Sequence, residues 1–229
     1  MSDQGATLLI DDLQERMSSI SNELQSKAMA AYMKDKFPYF GIKSPERKKI
    51  SSELWKNGKQ SISENWKEIV VQLWEKDERE YQYVAMDWMA RIEGRLSAND
   101  LPVVEKLIVK KSWWDTVDFL AGHPLGKILS LDEKLKFQTA ERYIQSDNMW
   151  LRRSALLFQL FYKEKTDAGL LFDLIKRCKG SKEFFINKAC GWALRQYSKT
   201  KPIEVSRFIE ENREELSALT IKEGSKYLN

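Results

Sequence analysis

Three short strings in this chain follow one design. Ala85-Met-Asp-Trp88, Ala155-Leu-Leu-Phe158 and Ala189-Cys-Gly-Trp192 each set a small residue three places before an aromatic. On a helix, positions three apart share a face. The alanines stand 70 residues apart (85 to 155) and then 34 apart (155 to 189). Both intervals fit a unit of ~35 residues, with the Trp114–Asp118 segment filling the gap between the first two strings.

The rest of the chain agrees with a helical reading. Ser44-Pro45-Glu46 offers a cap candidate followed by proline at a first helical position. The helix it opens is expected to stop at Asn57-Gly58. Further helices are predicted at 6–16, 20–36, 63–75, 78–93, 98–110, 112–121, 131–145, 148–163, 166–178, 182–198, 203–212 and 214–227. Only 10 Gly and 5 Pro occur in 229 residues, and no alternating apolar run is long enough to argue for a strand. The expected fold is all-α: an α-solenoid of HEAT-like antiparallel helix pairs, curved, forming a single domain over residues 1–229. In such a stack one helix of each pair lines the inner surface, where partners commonly bind. The helices bearing the three strings, and the one carrying Trp114 and Asp118, are the candidates for that inner row.

Charge and reactive residues narrow the function. The net charge is only +4, so a polyanion site must come from local clustering. One histidine (His123, expected in a loop) and two distant cysteines exclude a histidine triad and a zinc cluster, and no P-loop or dinucleotide fingerprint is present. No metal and no cofactor are expected. Cys178 and Cys190 read as reduced thiols. The opening Met1-Ser-Asp-Gln-Gly-Ala lacks a signal-peptide pattern, and no apolar run approaches membrane-spanning length. A cytoplasmic protein is expected.

Four clusters carry chemistry. In Lys111-Ser-Trp-Trp-Asp-Thr-Val-Asp118, Trp114 and Asp118 lie four apart on one face, an aromatic plane beside a carboxylate suited to a cation. Ser112 reads as an N-cap with Asp115 at the third position of the first turn, a structural role that Asp118 does not share. Phe185, Lys188 and Trp192 form one helical stripe, with Arg195 and Lys199 further on. Gly191 in mid-helix costs about 1 kcal/mol against Ala, which implies close approach by another group. Arg152-Arg153 can bind phosphate or form a solvated face. Tyr32-Met-Lys34 and Gly41-Ile-Lys43-Ser-Pro-Glu-Arg47-Lys48-Lys49 interleave base and aromatic, the footprint of a nucleic-acid surface and also a common solubility feature.

Over essentially its whole length the chain resembles the AlkD-type alkylpurine DNA glycosylases, HEAT-like repeat enzymes of DNA alkylation repair. The resemblance rests on Phe40-Gly-Ile-Lys-Ser-Pro-Glu-Arg47, Lys111-Ser-Trp-Trp-Asp-Thr-Val-Asp118, Ser146-Asp-Asn-Met-Trp-Leu-Arg-Arg153 and Ser181-Lys-Glu-Phe-Phe-Ile-Asn-Lys-Ala-Cys-Gly-Trp192-Ala-Leu-Arg195. It implies that Asp118 is the catalytic aspartate, that Trp114 and Trp192 contact the damaged nucleotide, and that Arg153 helps hold the DNA backbone. It places Tyr32 near the DNA and Phe184 and Phe185 beside a basic concave groove. It puts Lys43, Ser44, Arg47 and Lys48 at phosphates; Lys188 and Arg195 join these as expected DNA-binding residues of the stripe.

The activity implied is hydrolysis of the N-glycosidic bond of cationic N3- or N7-alkylated purines (3-methyladenine, 7-methylguanine, bulkier adducts) in duplex DNA without base flipping. The expected partner is therefore double-stranded DNA, and the protein is expected to be a monomer. Two other readings stand beside this one: a catalytically inactive HEAT-like DNA-structure binder, and a protein-interaction scaffold. A third is a glycosylase/lyase using Lys110, Lys111 or Lys188 as a Schiff-base amine.

Overall fold

A computed structural model describes residues 3–228 of the chain. They form helices joined by short turns, and no strand occurs among the described residues. The helices gather into two compact units, Met1–Arg95 and Leu96–Asn229.

The first unit holds α1 (Asp3–Ser19), α2 (Glu23–Tyr32), α3 (Ser44–Glu64), α4 (Trp66–Glu75) and α5 (Arg79–Ile92). α4 packs on α5, and α3 packs against both α5 and α1. Leu13, Met17, Ile62, Ile69, Leu73, Trp74, Val84 and Trp88 form the buried centre. Trp88 is anchored at its polar edge, its indole Nε1 donating to the Ser51 carbonyl at 3.1 Å. α3 does not stop at Asn57-Gly58 as expected. Gly58 takes a non-helical conformation (φ −115°, ψ 15°) that kinks the helix, which then continues to Glu64. Beyond the kink Ile62 is fully buried, so continuing the helix gains apolar burial that a stop would forfeit.

The segment between α2 and α3 is shaped by one carboxylate. Glu80 on α5 is wholly buried. Its oxygens accept from the backbone amides of Phe40 (3.1 Å), Gly41 (2.9 Å) and Ile42 (3.1 Å). Burial raises the Glu80 carboxyl above its ordinary value, and these amides oppose the rise. Gly41 sits at φ +84°, and a Cβ there would lie 2.1 Å from the Asn22 carbonyl oxygen, so only glycine fits. This fold-back delivers the chain to the start of α3, where Pro45 occupies the first turn.

The second unit holds α6 (Leu101–Val109), α7 (Trp114–Leu120), α8 (Gly126–Leu129), α9 (Glu133–Ile144), α10 (Met149–Leu157), α11 (Ala168–Lys176), α12 (Phe184–Ser198), α13 (Pro202–Glu211) and α14 (Ala218–Gly224). Side-chain caps fix several starts: Asp132 for α9, Asn148 for α10, Asp167 for α11 and Ser217 for α14. α10 is the hub, packing against α6, α7, α9, α11 and α12, while α12 in turn packs on α13 and α14. α10 thus lies between α7 and α12, packing on both. Ala85, Trp88, Ala155, Phe158 and Ala189 are all buried, whereas Trp192 is half-exposed.

Two further departures from expectation have a visible physical cause. Residues 121–125, expected as a loop, form a π-helical turn that runs straight from α7 into α8. The His123 ring packs between Phe119 (5.0 Å between centroids) and Phe161 (4.7 Å), which favours that continuation. α10 ends at Leu157, earlier than expected, because Gln159 clamps the turn that follows. Its amide donates to the Asp167 carbonyl (3.2 Å) and accepts from the Asp167 N–H (2.8 Å).

Replacing Glu80 with Ala leaves three amides without their buried acceptor, at 1–3 kcal/mol for each left unpaired. The expected outcome of chemical denaturation is a loss of about 3 kcal/mol or more. An unchanged midpoint would show that the carboxylate does not hold this loop.

Candidate active site

The turn before α7 sorts its two tryptophans. Lys111 adopts a left-handed conformation (φ 49°). Ser112 Oγ donates back to the Ile108 carbonyl at 2.6 Å, closing α6. Ser112, expected as the cap of α7, is therefore not its cap; extended Trp113 holds that position without a side-chain cap bond. Asp115 still falls in the first turn, where a carboxylate favours the helix dipole. Trp113 turns towards Trp150 (5.7 Å between centroids) and Phe185 (5.1 Å), in edge-on contacts. Trp150 and Phe185 close that cluster at 5.1 Å. Trp114 lines the same cleft as Asp118.

Asp118 meets Arg153 from α10. Arg153 Nε donates to Asp118 Oδ1 at 2.7 Å and Nη2 donates to Oδ2 at 2.9 Å, a two-pronged fork. The third prong, Nη1, donates to the Phe185 carbonyl of α12. The Arg153 side chain is 3% exposed and that of Asp118 13%. The expected backbone-holding arginine is thus engaged inside the protein, tying α7 to α12. Burial pushes the Asp118 carboxyl above its ordinary value; the Arg153 fork opposes that rise and nearby Asp115 adds to it.

α12 supplies the far wall. Phe184 is exposed and Phe185 half-buried, with their rings edge-on at 5.4 Å. Lys188 and Arg195 both donate to Glu223 of α14, at 2.6 and 2.8 Å. Gly191 has the close neighbour its position implied: a Cβ would stand 2.5 Å from Glu223 Cβ and 2.9 Å from the Thr220 carbonyl oxygen. α14 therefore lies directly on α12.

Trp114, Asp118, Arg153, Phe184, Phe185, Lys188, Trp192 and Arg195 line one cleft of about 300 Å³. Every one of them is a residue singled out from sequence. The remaining expected DNA contacts belong to the first unit. Lys43, Ser44 and Lys48 are exposed. Tyr32 is exposed beside an apolar depression of about 310 Å³ formed with Met29, Met33, Tyr39 and Tyr83. Arg47, expected at a phosphate, is buried; its guanidinium lies 3.5 Å from Asp87 and 4.9 Å from the Tyr83 ring centre. Sequence reasoning missed Glu223 and the packing role of Trp113 and Trp150. Glu223 gave only a commonplace local signal, Lys226 three residues on, while its cleft partners Lys188 and Arg195 lie 35 and 28 residues away. Among the described residues no group of three or more His, Cys, Asp or Glu is placed to hold a metal ion. No described helix is long and apolar enough to cross a membrane.

This geometry can be set beside known proteins. The sequence pattern of the family described as DNA alkylation repair enzyme matches residues 13–228. The chain belongs to that family. A solved structure titled a predicted DNA alkylation repair enzyme from Enterococcus faecalis is 37% identical, with a TM-score of 0.80 over 91% of this chain and 96% of that one. A second, smu.31 from Streptococcus mutans UA159, is 16% identical with a TM-score of 0.55 over 80% of this chain and 100% of that one, and shares the fold. No curated protein matches the chain.

Three cations, Lys188, Arg195 and Lys226, surround Glu223. Hydrogen bonds from Lys188 and Lys226 hold the Glu223 carboxyl down at about 2, against an ordinary value of 4.5. Its contribution is complete above 4.5 and is lost as pH falls through the folded value near 2. Thermal melts should show Tm falling over that window, with a shallower fall in Glu223→Gln.

Proposed function

We propose that this protein is a monofunctional DNA glycosylase that hydrolyses the N-glycosidic bond of cationic N3- or N7-alkylated purines in duplex DNA, without flipping the base. One observation carries the reading. A carboxylate fixed by a buried arginine opens on the same cleft as two tryptophans, Trp114 and Trp192.

The chemistry follows from charge. An alkylated purine carries a positive charge and leaves as a neutral base, so no general acid is required. The transition state shifts positive charge to the deoxyribose. Asp118 faces that charge, stabilises it and positions the attacking water, which adds to the sugar carbon as the base departs. Trp114 and Trp192 offer π faces to the cationic nucleotide at about 0.5–2 kcal/mol each, which selects charged lesions over normal bases. Arg153 holds both Asp118 oxygens, so the carboxylate is oriented before substrate arrives.

The proposal includes the architecture expected from the repeat: residues 1–229 as one HEAT-like domain with a basic concave groove, using Tyr32, Lys43, Ser44, Lys48, Lys188 and Arg195 along the duplex. The protein then acts as a monomer in the cytoplasm, at the nucleoid. Lys188 is ion-paired to Glu223, which disfavours it as a Schiff-base amine. Borohydride should trap no protein–DNA adduct.

The direct test is release of 7-methylguanine and 3-methyladenine from methylated duplex DNA. Asp118→Asn should lower the rate about 10²–10³-fold, the scale of losing one main electrostatic contact to the transition state. Equal release by both proteins would remove Asp118 from the mechanism; no release by wild type would favour an inactive DNA binder or a scaffold. Because burial raises the Asp118 carboxyl, kcat/KM should fall on the acid side with a midpoint above the ordinary value of 3.8, and Asp118→Asn should lack that limb. Bulky cationic adducts should be accepted, since the cleft is not required to enclose the base.

A further inference from the structure

Three cations in the second unit converge on one carboxylate, Glu223. It lies on α14, outside every string that carries the family likeness, and its side chain is 5% exposed. Lys188 Nζ reaches it at 2.6 Å, Arg195 Nη1 at 2.8 Å and Lys226 Nζ at 2.8 Å. Lys188 and Arg195 come from α12 and Lys226 from the turn just after α14, and Gly191 is what lets α14 approach α12 closely enough. One anion against three cations leaves a surplus of about two positive charges at one point, by simple charge counting.

The cations differ from their anchor in exposure. Lys188 is 38% exposed, Arg195 23% and Lys226 43%. Their carboxylate is underneath, and their remaining N–H donors are on the solvent side. Lys188 and Arg195 also line the cleft. A purely structural ion pair needs one cation to satisfy a buried carboxylate; two more, half-exposed, are surplus to that task. Surface lysines alone lose side-chain entropy when they bind, and a shared anchor reduces that loss in advance.

We infer that Glu223 is a positioning residue that gathers Lys188, Arg195 and Lys226 into a phosphodiester-binding patch on the lip of the cleft, with Lys226 as a DNA-backbone contact that the family likeness does not supply. This rests on the proposed action on duplex DNA, and it assigns the C-terminal helix a part in holding the strand. The patch reads no sequence, because phosphate contacts position the protein without informing it of the bases.

The experiment is binding of the full chain to an undamaged duplex, followed by fluorescence anisotropy across a salt series. Each phosphate contact contributes about 0.9 to the slope of log K against log salt. Lys226→Met should lower that slope by about one and weaken binding equally for damaged and undamaged duplexes. Lys222→Met, an equal charge change at the exposed residue preceding Glu223, should leave the slope unaltered. Glu223→Gln gives the sharper result. Adding one positive charge should tighten DNA binding if charge alone matters; loss of the anchor should weaken it several-fold. Weaker binding by Glu223→Gln in protein that melts cooperatively, with a lower slope for Lys226→Met, supports the patch. Tighter binding, or a Lys226→Met slope equal to wild type, overturns it. The readout uses no excision, so wild type that binds DNA but releases no base would fail the glycosylase reading and leave the patch standing.

Discussion

The fork between Arg153 and Asp118 is the interaction on which the second unit's site depends. A buried guanidinium loses its hydration, and only close, well-directed acceptors offset that cost. Here all three directions of the Arg153 head are taken: two by Asp118, one by the Phe185 carbonyl. The result is a tie between α7, α10 and α12, three helices whose packing alone would permit small slides. Apolar contacts set how close these helices come. The fork sets their register, and with it the distance from carboxylate to the two cleft tryptophans.

Around that fork the residues divide by direction. Trp113 and Trp114 are adjacent in sequence but opposite in use. Trp113 packs with Trp150 and against Phe185 of the cleft wall, and Trp114 lines the cleft itself. The same division runs along α12, where Ile186, Ala189 and Cys190 are buried and Lys188 and Trp192 face outward. A rigid aromatic floor beneath a charged and aromatic surface suits a reaction that requires fixed electrostatics more than movement. Membership of the DNA alkylation repair family is consistent with that division of labour.

Much of the site was legible because it is written in helical spacing. Trp114 and Asp118 at four apart, and Phe185, Lys188 and Trp192 on one stripe, carry their geometry in the sequence itself. The vacancy at Gly191 was equally readable: a helix-weakening glycine implied a close neighbour, and α14 is that neighbour. What escaped was whatever depends on where a turn ends. Ser112 looked like a cap and instead closes the preceding helix through Ile108. The Ala-Gly-His-Pro run looked like a loop, but aromatic packing about His123 keeps it helical. Arg47 looked like part of an exposed basic run, yet its position on the inner side of α3 turns it towards Asp87 and Tyr83. For His123 and Arg47 a contact from a distant residue overrode a sound local preference; for Ser112 a bond within the preceding helix did.

The Glu80 carboxylate has a consequence for how the protein is made. It lies 40, 39 and 38 residues after the three amides that it organises. Closing a loop of that length costs chain entropy that nothing local repays. The bend that presents Lys43 and Lys48 at the head of α3 is therefore no local motif, whatever its glycine suggests. During synthesis the basic segment leaves the ribosome well before the residue that shapes it. Bonds from Asn22 and Ser26 can form early, but its form is complete only when α5 has docked, so the young chain carries these charges before the bend that presents them is finished.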